Sequence, residues 1–319
     1  MVSKNAMGKI ATAMAAALLI LLGMTTTSPA LAAPNGKLPE VYNFFSGIPF
    51  ELSHPGGDLP GSNDWNCKPS PEHPRPVILV HGTGGAKTTN WGSYVPMLRN
   101  RGYCVYALTY GALPGLPWPF TAIGGMDRQD VSARQLDRFV EKVRRSTGAQ
   151  TVDLVGHSQG TYMPTYYLKY LGGADKVTNY VSLAPLWRGT GDVIPESRML
   201  GAALGDFPMP FCIGCGGMMA GSPMHKKIWA GGSPYVKGIN YTNIATRYDE
   251  LVIPYTSGLV PGRRGENVRN IVMQDTCAQD YSDHLAIAGS RRAAYTVLNA
   301  LDPEHPVKVP CEFVPPFTG

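Results

Sequence analysis

The chain of 319 residues lacks the short motifs that mark a metal or cofactor site. It contains no HExxH zinc motif, no EF-hand calcium loop and no GxxxxGK phosphate-binding loop. We therefore expect a protein that works without a metal and without a cofactor. Internal repeats and low-complexity linkers are also missing. Their absence favours one domain over a repeat array or several linked modules.

Charged residues are also few. Asp, Glu, Lys and Arg make up 16% of the chain, and the net charge is only +5. The basic residues are scattered, as in Arg134, Arg138, Lys142 and Arg144 along one helix-like stretch. We interpret this stretch as the solvated face of a helix rather than as a nucleic-acid patch. The sequence therefore predicts no nucleic-acid partner.

Only one long hydrophobic run is present, and it lies near the N-terminus. Lys4 and Lys9 precede an apolar stretch over residues 10–24, and Ala30-Leu31-Ala32 follows. A basic start, an apolar core and an A-x-A site in this order predict a signal peptide over residues 1–32, cleaved near Ala32. An uncleaved anchor is the alternative, but the run is shorter than the ~20 residues of a membrane span. We expect a secreted, extracellular protein whose mature chain has no transmembrane span.

Cysteine is scarce, and its number is even. An even set in an exported chain predicts disulfides, and the simplest hypothesis pairs sequence neighbours. Cys212-x-x-Cys215 has two other interpretations, a redox motif or half of a zinc site. A loop-closing disulfide is favoured, because the chain has no second CxxC and this one does not open a helix after a strand. The expected pairs are Cys67–Cys104, Cys212–Cys215 and Cys277–Cys311.

Short apolar runs alternate with stretches of helical period along most of the chain. The predicted strands cover residues 76–81, 103–110, 151–155, 177–183, 241–246 and 268–273. The predicted helices cover residues 91–101, 126–146, 161–171 and 285–301. This alternation predicts an α/β fold with a mostly parallel central sheet flanked by helices, in one domain over residues 33–319.

A long stretch without a clear strand, residues 187–237, interrupts the pattern, and we interpret it as an inserted cap or lid. Two interpretations of its apolar side chains stay open: a flap that binds acyl chains, or simple packing of the cap on the core. The loop over residues 115–120 is a second candidate for a pocket wall. The apolar residues of the insert are Met199, Leu200, Leu204, Phe207, Met209, Phe211, Ile213, Met218, Met219, Met224 and Trp229.

The strongest motif is Gly156-His157-Ser158-Gln159-Gly160, which fits G-x-S-x-G. An apolar strand precedes it and a helix follows, as the nucleophile turn of an α/β-hydrolase requires. The small flanking glycines leave room for neighbouring backbone, and the serine is expected in a strained conformation. A plain tight turn is the alternative. We predict Ser158 as the nucleophile.

A serine hydroxyl needs a base, and in this fold the chain order is serine, acid, histidine. Of the histidines after Ser158, His284 follows the last predicted strand and opens the last helix, where the fold places its base. His305 lies in a proline-rich tail, and His225 stands beside two lysines in the insert. We predict His284 as the base; a helix-capping histidine is the alternative.

The acid is expected on the loop after the strand that follows the insert. Asp249 lies three residues past that strand and would hold the imidazole in the correct tautomer. Asp283 is too close in sequence to orient His284 easily. Asp275, Asp280 and Glu250 are weaker rivals, and a solvated loop carboxylate is the alternative interpretation of Asp249.

An oxyanion that develops on the substrate needs backbone N–H donors already in place. One donor is expected from Gln159, which follows the nucleophile, and the other from Thr83, in the glycine-rich loop after the first central strand. His81 ends that strand. It can be mistaken for a base, but we interpret it as a structural residue that fixes the loop.

These motifs resemble those of bacterial secreted triacylglycerol lipases of the lipase class 2 family. The likeness runs from about residue 76 to residue 301. It implies an α/β-hydrolase fold and cofactor-free hydrolysis of acyl-glycerol esters, with Ser158, Asp249 and His284 as triad and Thr83 and Gln159 as oxyanion hole. The long insert departs from the smallest family members. The matching pieces are Val80-His81-Gly82-Thr83-Gly84-Gly85, Gly156-His157-Ser158-Gln159-Gly160, the Asp249 segment and Ser282-Asp283-His284.

The sequence as a whole predicts a secreted, monomeric serine hydrolase that cleaves ester or lipid substrates, most simply a triacylglycerol lipase at an oil–water interface. A carboxylesterase or a cutinase-like polyester hydrolase is the nearest alternative. Acyl transfer to an alcohol uses the same site and is a second. A non-catalytic binding protein on the same fold is a third, although such proteins usually lack part of the triad. A peptidase has no specific support.

Overall fold

Six short strands pair side by side into one parallel sheet in the computed structural model, which describes residues 36–190 and 212–319. The order across the sheet is β2-β1-β3-β4-β5-β6. Every neighbouring pair is parallel, and each strand overlaps one of the six that the sequence predicts. The strands are β1 Val77–Val80, β2 Val105–Leu108, β3 Val152–His157, β4 Val177–Leu183, β5 Asn240–Ala245 and β6 Asn267–Val272.

Helices cover both faces of this sheet, and the side chains of β1 show the division. Val77 and Leu79 point into one apolar cluster, while Ile78 and Val80 point into another. The first cluster includes helices α2 and α6, and the second includes α3 and α4. A parallel strand covered on both faces is apolar at every position, which explains the unbroken run Val77–Val80. The helices are α1 Ile48–Ser53, α2 Tyr94–Arg99, α3 Gln129–Thr147, α4 Met163–Tyr170, α5 Pro223–Ile228 and α6 Arg291–Leu301.

The longest described helix, α3, matches its predicted pattern. Leu136, Val140 and Val143 of its apolar stripe are fully buried and Phe139 is partly buried, whereas Arg134 and Arg138 are exposed. The helix ends at Gly148, whose left-handed backbone (φ 81°) suits a residue without a Cβ. The solvated basic face expected from the sequence is therefore present.

The predicted helix over residues 285–301 is wrong in its first turns. A separate 3-10 turn covers Ala286–Ala288, and α6 begins only at Arg291. The break falls at Gly289, where a Cβ would lie 2.2 Å from the backbone N of Phe44. Ser290 then starts a new helix, because its hydroxyl accepts a hydrogen bond from the N–H of Ala293 at 3.3 Å. Close packing and a serine cap together divide the predicted helix.

Three disulfides are present, and they are the three neighbour pairs predicted: Cys67–Cys104, Cys212–Cys215 and Cys277–Cys311. Within residues 36–190 and 212–319 there is also no helix with the length and apolar character needed to cross a membrane. The described residues from Glu40 onward belong to one compact unit. The predicted signal peptide lies outside the described residues.

The described part of the insert packs closely on the rest of this unit. Trp187 and Tyr235, near its two ends, are buried in the core against Tyr241. Met218 and Met224 belong to a separate apolar cluster with Tyr162, at the start of α4. Met224 and Met218 thus pack within the described part of the chain, while Met218 also lines the cavity beside Ser158, so both interpretations of the insert stay open. Met199, Leu200, Leu204, Phe207, Met209 and Phe211 lie outside the described residues.

Candidate active site

Ser158 stands at the turn between β3 and α4 with a left-handed backbone conformation, φ 52°. Two glycines make this turn possible. A Cβ on Gly156 would lie 2.1 Å from the carbonyl oxygen of Gly160, and a Cβ on Gly160 would lie 1.9 Å from that of Val80. No side chain fits at either position. The strained serine and its small neighbours, both expected from the motif, are therefore present.

The hydroxyl of Ser158 is within hydrogen-bond distance of a histidine from the loop that follows β6, the strand at one edge of the sheet. Nε2 of His284 lies 2.8 Å from Ser158 Oγ, and Nδ1 of the same ring lies 2.8 Å from Oδ1 of Asp249. A carboxylate only accepts, so the ring proton sits on Nδ1 and leaves Nε2 free to accept from the serine. Both His284 and Asp249 have side chains only 2% exposed, which shields the pair from water.

The carboxylate of Asp249 is held by backbone donors from its own loop. The N–H groups of Leu251 and Val252 donate to Oδ1 at 3.0 Å and 2.7 Å. Glu250, the adjacent carboxylate, instead accepts from the backbone N–H of His284 at 3.1 Å. Two neighbouring acidic residues thus fix the same histidine, one through its ring and the other through its backbone.

The rival residues named from the sequence have other partners. Asp275 forms an exposed ion pair with Arg247, and Asp280 accepts from Ser282. His305 is exposed beside Asp302, and the backbone N–H of Gly221 donates to the ring of His225. Of the candidate acids and bases, His284 contacts the Ser158 hydroxyl and Asp249 contacts the other side of the His284 ring.

Thr83 and Gln159, the predicted oxyanion residues, lie side by side next to Ser158. The hydroxyl of Thr83 donates to Oε1 of Gln159 at 2.7 Å, which joins the loop after β1 to the turn after β3. Gly82 permits this approach, because a Cβ there would lie only 3.1 Å from the Cβ of Ser158. The two loops that would supply the backbone donors are therefore fastened to each other.

Two residues that the sequence did not single out connect these parts. Asn90 accepts from the backbone N–H of Gly82 at 3.1 Å and also lies 3.1 Å from Nδ1 of His157. His157 in turn places Nε2 2.8 Å from the carbonyl oxygen of His284. Burial, together with the nearby His284, lowers the pKa of His157 to about 3, so its ring is neutral near pH 7. The motif pointed to the position of His157, but no sequence signal pointed to Asn90.

His81 has the structural surroundings that the sequence suggested. It is fully buried and stacked on Tyr110, with ring centroids 4.2 Å apart. Its Nδ1 lies 2.7 Å from the carbonyl of Gly82, and its Nε2 accepts from the N–H of Tyr110. Burial lowers the pKa of His81 to about 4. Away from Ser158 and neutral, this ring ties the glycine-rich loop to the end of β2.

A cavity of about 450 Å³ opens beside Ser158, large enough for the hydrocarbon part of an ester. Its lining is largely apolar, with a smaller number of polar residues that include Ser158 and His284. Thr190 and Met218 contribute from the insert, whereas the 115–120 loop does not contribute a lining residue. The apolar lining residues include Phe44, Phe45, Ile48, Leu186, Met218, Leu251, Val252 and Leu285.

The arrangement has the parts that acyl transfer through a serine needs: a hydroxyl against a neutral imidazole, a buried carboxylate behind it, and an apolar cavity in front. The chemistry such parts perform together is attack of the hydroxyl on a carbonyl carbon. The geometry favours the side chains that the sequence selected: only His284 contacts the Ser158 hydroxyl, and Asp249 contacts the ring of His284.

Comparisons with known proteins concern the family and the fold of the chain. The model of a family described as Lipase (class 2) matches residues 74–287. Lipase B of Aspergillus fumigatus superposes with a TM-score of 0.55 at 15% identity, over 90% of this chain and 64% of that one. The mature lipase BlEst2 of Bacillus licheniformis superposes with a TM-score of 0.50 at 11% identity, over 73% of this chain and 94% of that one. Such low identities show the fold alone, and it is the predicted α/β-hydrolase fold.

Proposed function

Since this chain belongs to the Lipase (class 2) family of carboxylic ester hydrolases, we propose that it is a secreted triacylglycerol lipase with Ser158 as its nucleophile. The observation that carries the proposal is the line of contacts from Ser158 through His284 to Asp249, 2.8 Å at each step. The apolar cavity beside Ser158 supports an acyl substrate rather than a charged one.

The proposed reaction runs in two halves. His284 Nε2 takes the proton of Ser158 as Oγ attacks the ester carbonyl, while Asp249 stabilises the imidazolium. The backbone N–H groups of Thr83 and Gln159 hold the oxyanion, and His284 then protonates the leaving alcohol. In the second half, water attacks the acyl-serine while His284 takes its proton. His284 then returns the proton to Ser158 Oγ, and the fatty acid is released.

The insert, residues 187–237, is proposed as a cap beside this site. Thr190 and Met218, which line the cavity, support this role. Two further segments expose apolar side chains: Trp118 and Phe120 in one, Leu251 and Ile253 in the other. Exposed apolar surface of this kind supports binding at an oil–water interface. We propose that the enzyme meets its lipid there as a monomer, with residues 33–319 as one domain.

Secretion is proposed from two observations. The order of charge, apolar run and A-x-A site at the start of the chain is typical of a cleaved signal peptide. The three disulfides, which join all six cysteines, fit an oxidising compartment. Comparison of the N-terminal residue of the exported protein with Ala33 tests the predicted cleavage near Ala32.

The catalytic proposal is tested on p-nitrophenyl esters of two to about sixteen carbons and on emulsified triglyceride, comparing the mature chain with Ser158→Ala. Loss of the nucleophile is expected to lower kcat by at least about 10³-fold, because triad residues act as a unit. Ser146→Ala, a serine outside the cavity, is the matched control and keeps full activity.

Three outcomes are informative. Activity that is strongest on long chains and emulsion and is lost in Ser158→Ala supports the lipase. Mutant-sensitive activity confined to short soluble esters keeps the mechanism and replaces the lipase by a carboxylesterase. No ester hydrolysis by the wild type, or activity that survives the substitution, overturns the catalytic proposal.

A further inference from the structure

One wall of the cavity comes from a part of the chain that lies outside the residues matched by the family model. The family match covers residues 74–287, yet Phe44, Phe45 and Ile48 line the cavity beside Ser158. These residues belong to a 3-10 turn followed directly by α1. We refer to residues 43–53 as the N-terminal wall.

The N-terminal wall sits against the loop that follows β1 with no space between the backbones. A Cβ on Gly47 would lie 2.0 Å from the carbonyl oxygen of Thr88, and one on Gly92 would lie 2.4 Å from the N of Gly47. The hydroxyl of Ser93 donates to the carbonyl of Asn43 at 3.1 Å. The wall is therefore placed at a fixed distance from the site.

A buried carboxylate fastens the other end of the wall. Glu51 of α1 is 5% exposed and accepts hydrogen bonds from three separate segments. The donors are the hydroxyl of Thr88 at 2.5 Å, the N–H of Gly56 at 2.9 Å and the indole N–H of Trp118 at 3.1 Å. Donors from several segments that converge on one carboxylate make a rigid joint.

The residue that precedes His284 is tied to the wall through the C-terminal residues. Oδ2 of Asp283 accepts from the N–H of Phe317 at 2.6 Å. The next residue, Thr318, accepts at its carbonyl from the N–H of Phe44 at 2.5 Å. The phenyl ring of Phe44 then packs edge-on to His157, with centroids 6.0 Å apart. We call this connection the terminal clasp.

A half-buried apolar wall that is anchored at both ends and faces a nucleophile has the features of a binding surface. We infer that Phe45 and Ile48 contact the hydrocarbon chain of the ester and set the chain length that the enzyme accepts. This inference rests on the proposed function and adds a specificity surface from outside the family-matched residues. Glu51 acts as a positioning residue, because it touches the wall and not the cavity.

The test compares kcat/KM for a long and a short ester within each variant, so any loss of folded enzyme cancels in the ratio. Ile48→Ala and Phe45→Ala are expected to lower the long-to-short ratio about tenfold, since even one methylene matters in an apolar pocket. Ile48→Phe is expected to shift the preference to shorter chains. Leu52→Ala, 60% exposed on the same helix and outside the cavity lining, is the matched control.

Two substrate series separate the ends of the ester. p-Nitrophenyl esters vary the acyl chain, and acetate esters of longer alcohols vary the alcohol. A changed ratio in one series identifies the part of the ester that lies on the wall. Unchanged ratios in both series, with an active wild type, overturn the inference while leaving the proposed function intact. An inactive wild type overturns the proposed function instead.

Glu51→Gln tests the anchoring separately. The amide keeps the size of the side chain but replaces one acceptor oxygen by a donor. We expect a smaller change of the long-to-short ratio in the same direction, with short-ester kcat within about twofold of the wild type. A ratio that equals that of the wild type excludes a positioning role for Glu51.

Discussion

Ser158 and its neighbours show how much of a site is held by residues that do no chemistry. Its backbone is in the left-handed region, where few residues other than glycine are stable. The side chain of Asn90 and the ring of His157 connect the glycine-rich loop, the serine turn and the backbone of His284. Each of these parts comes from a different strand end, so a single misplaced loop would misalign the others.

Asn90 is predicted to support the rate of the reaction and not the binding of substrate. Asn90→Ala removes the acceptor for the Gly82 N–H and loosens the loop that carries Thr83. We expect kcat to fall about 10²-fold, comparable to the loss of one oxyanion donor, with KM nearly unchanged. Steady-state kinetics on a short ester measure both constants.

The control for Asn90 is Asn299→Ala. The amide of Asn299 donates to the carbonyl of Val307, away from the cavity lining. This variant should retain the wild-type kcat. A change confined to KM in Asn90→Ala, or no change at all, would show that the loop holds its position without this side chain.

At the scale of elements, the sequence predicts strands and helices well and their ends less well. The apolar runs locate the six described strands, most clearly β1, which is apolar and buried at every position because both of its faces are covered. The final helix divides at Gly289 because Phe44, hundreds of residues earlier in the chain, approaches its backbone. The spacing of apolar residues predicts which face of a helix is buried. It carries no information about contacts with residues distant in the sequence.

The new start of α6 gives a prediction about stability. Ser290→Ala removes the hydroxyl that accepts from the N–H of Ala293, and we expect the free energy of unfolding to fall by about 1 kcal/mol. Chemical denaturation monitored by circular dichroism measures this difference. Ser53→Ala changes an exposed serine at the end of α1 and should leave the unfolding midpoint in place. Equal midpoints for both variants would contradict the capping role.

At the scale of the whole molecule, the candidate catalytic residues were predictable and the cavity was not. Ser158, Asp249 and His284 follow from a motif and a chain order, which are local and topological. The N-terminal wall and the terminal clasp depend on residues that no motif marks, brought together only by the fold. A family match that begins at residue 74 could not reveal a wall that lies before it.

Buried neutral histidines predict how the stability of the molecule depends on pH. Burial lowers the pKa of His81 to about 4 and that of His157 to about 3, from 6.5. Below pH 6.5 the unfolded chain therefore binds two protons that the folded chain does not, and stability is lost as pH falls. Asp153 acts in the opposite direction. Burial raises the pKa of its carboxyl group to about 6, so below that pH the folded chain binds a proton there that the unfolded chain lacks until about pH 4. The unfolded chain therefore binds a net of one more proton than the folded chain between roughly pH 6 and 4. In that range the free energy of unfolding falls by about 1.4 kcal/mol for each unit that the pH decreases.

Denaturation at several pH values, comparing the wild type with His157→Gln, tests this balance. The glutamine removes one titrating group, so the slope of unfolding free energy against pH should decrease by about 1.4 kcal/mol per unit in that range. His305→Gln, at an exposed histidine, should leave the slope as it is. Parallel curves for His157→Gln and the wild type would show that His157 is already protonated in the folded protein.

The terminal clasp also has a consequence for the order in which the enzyme is made. Its partners, Phe44 and Thr318, stand near opposite ends of the described chain, and His284 comes late as well. A ribosome has therefore produced Ser158, the proposed nucleophile, long before His284 and Thr318 exist. A growing chain that ends before His284 has the serine but lacks its proposed base. We therefore expect no ester hydrolysis at this site until His284 has been made.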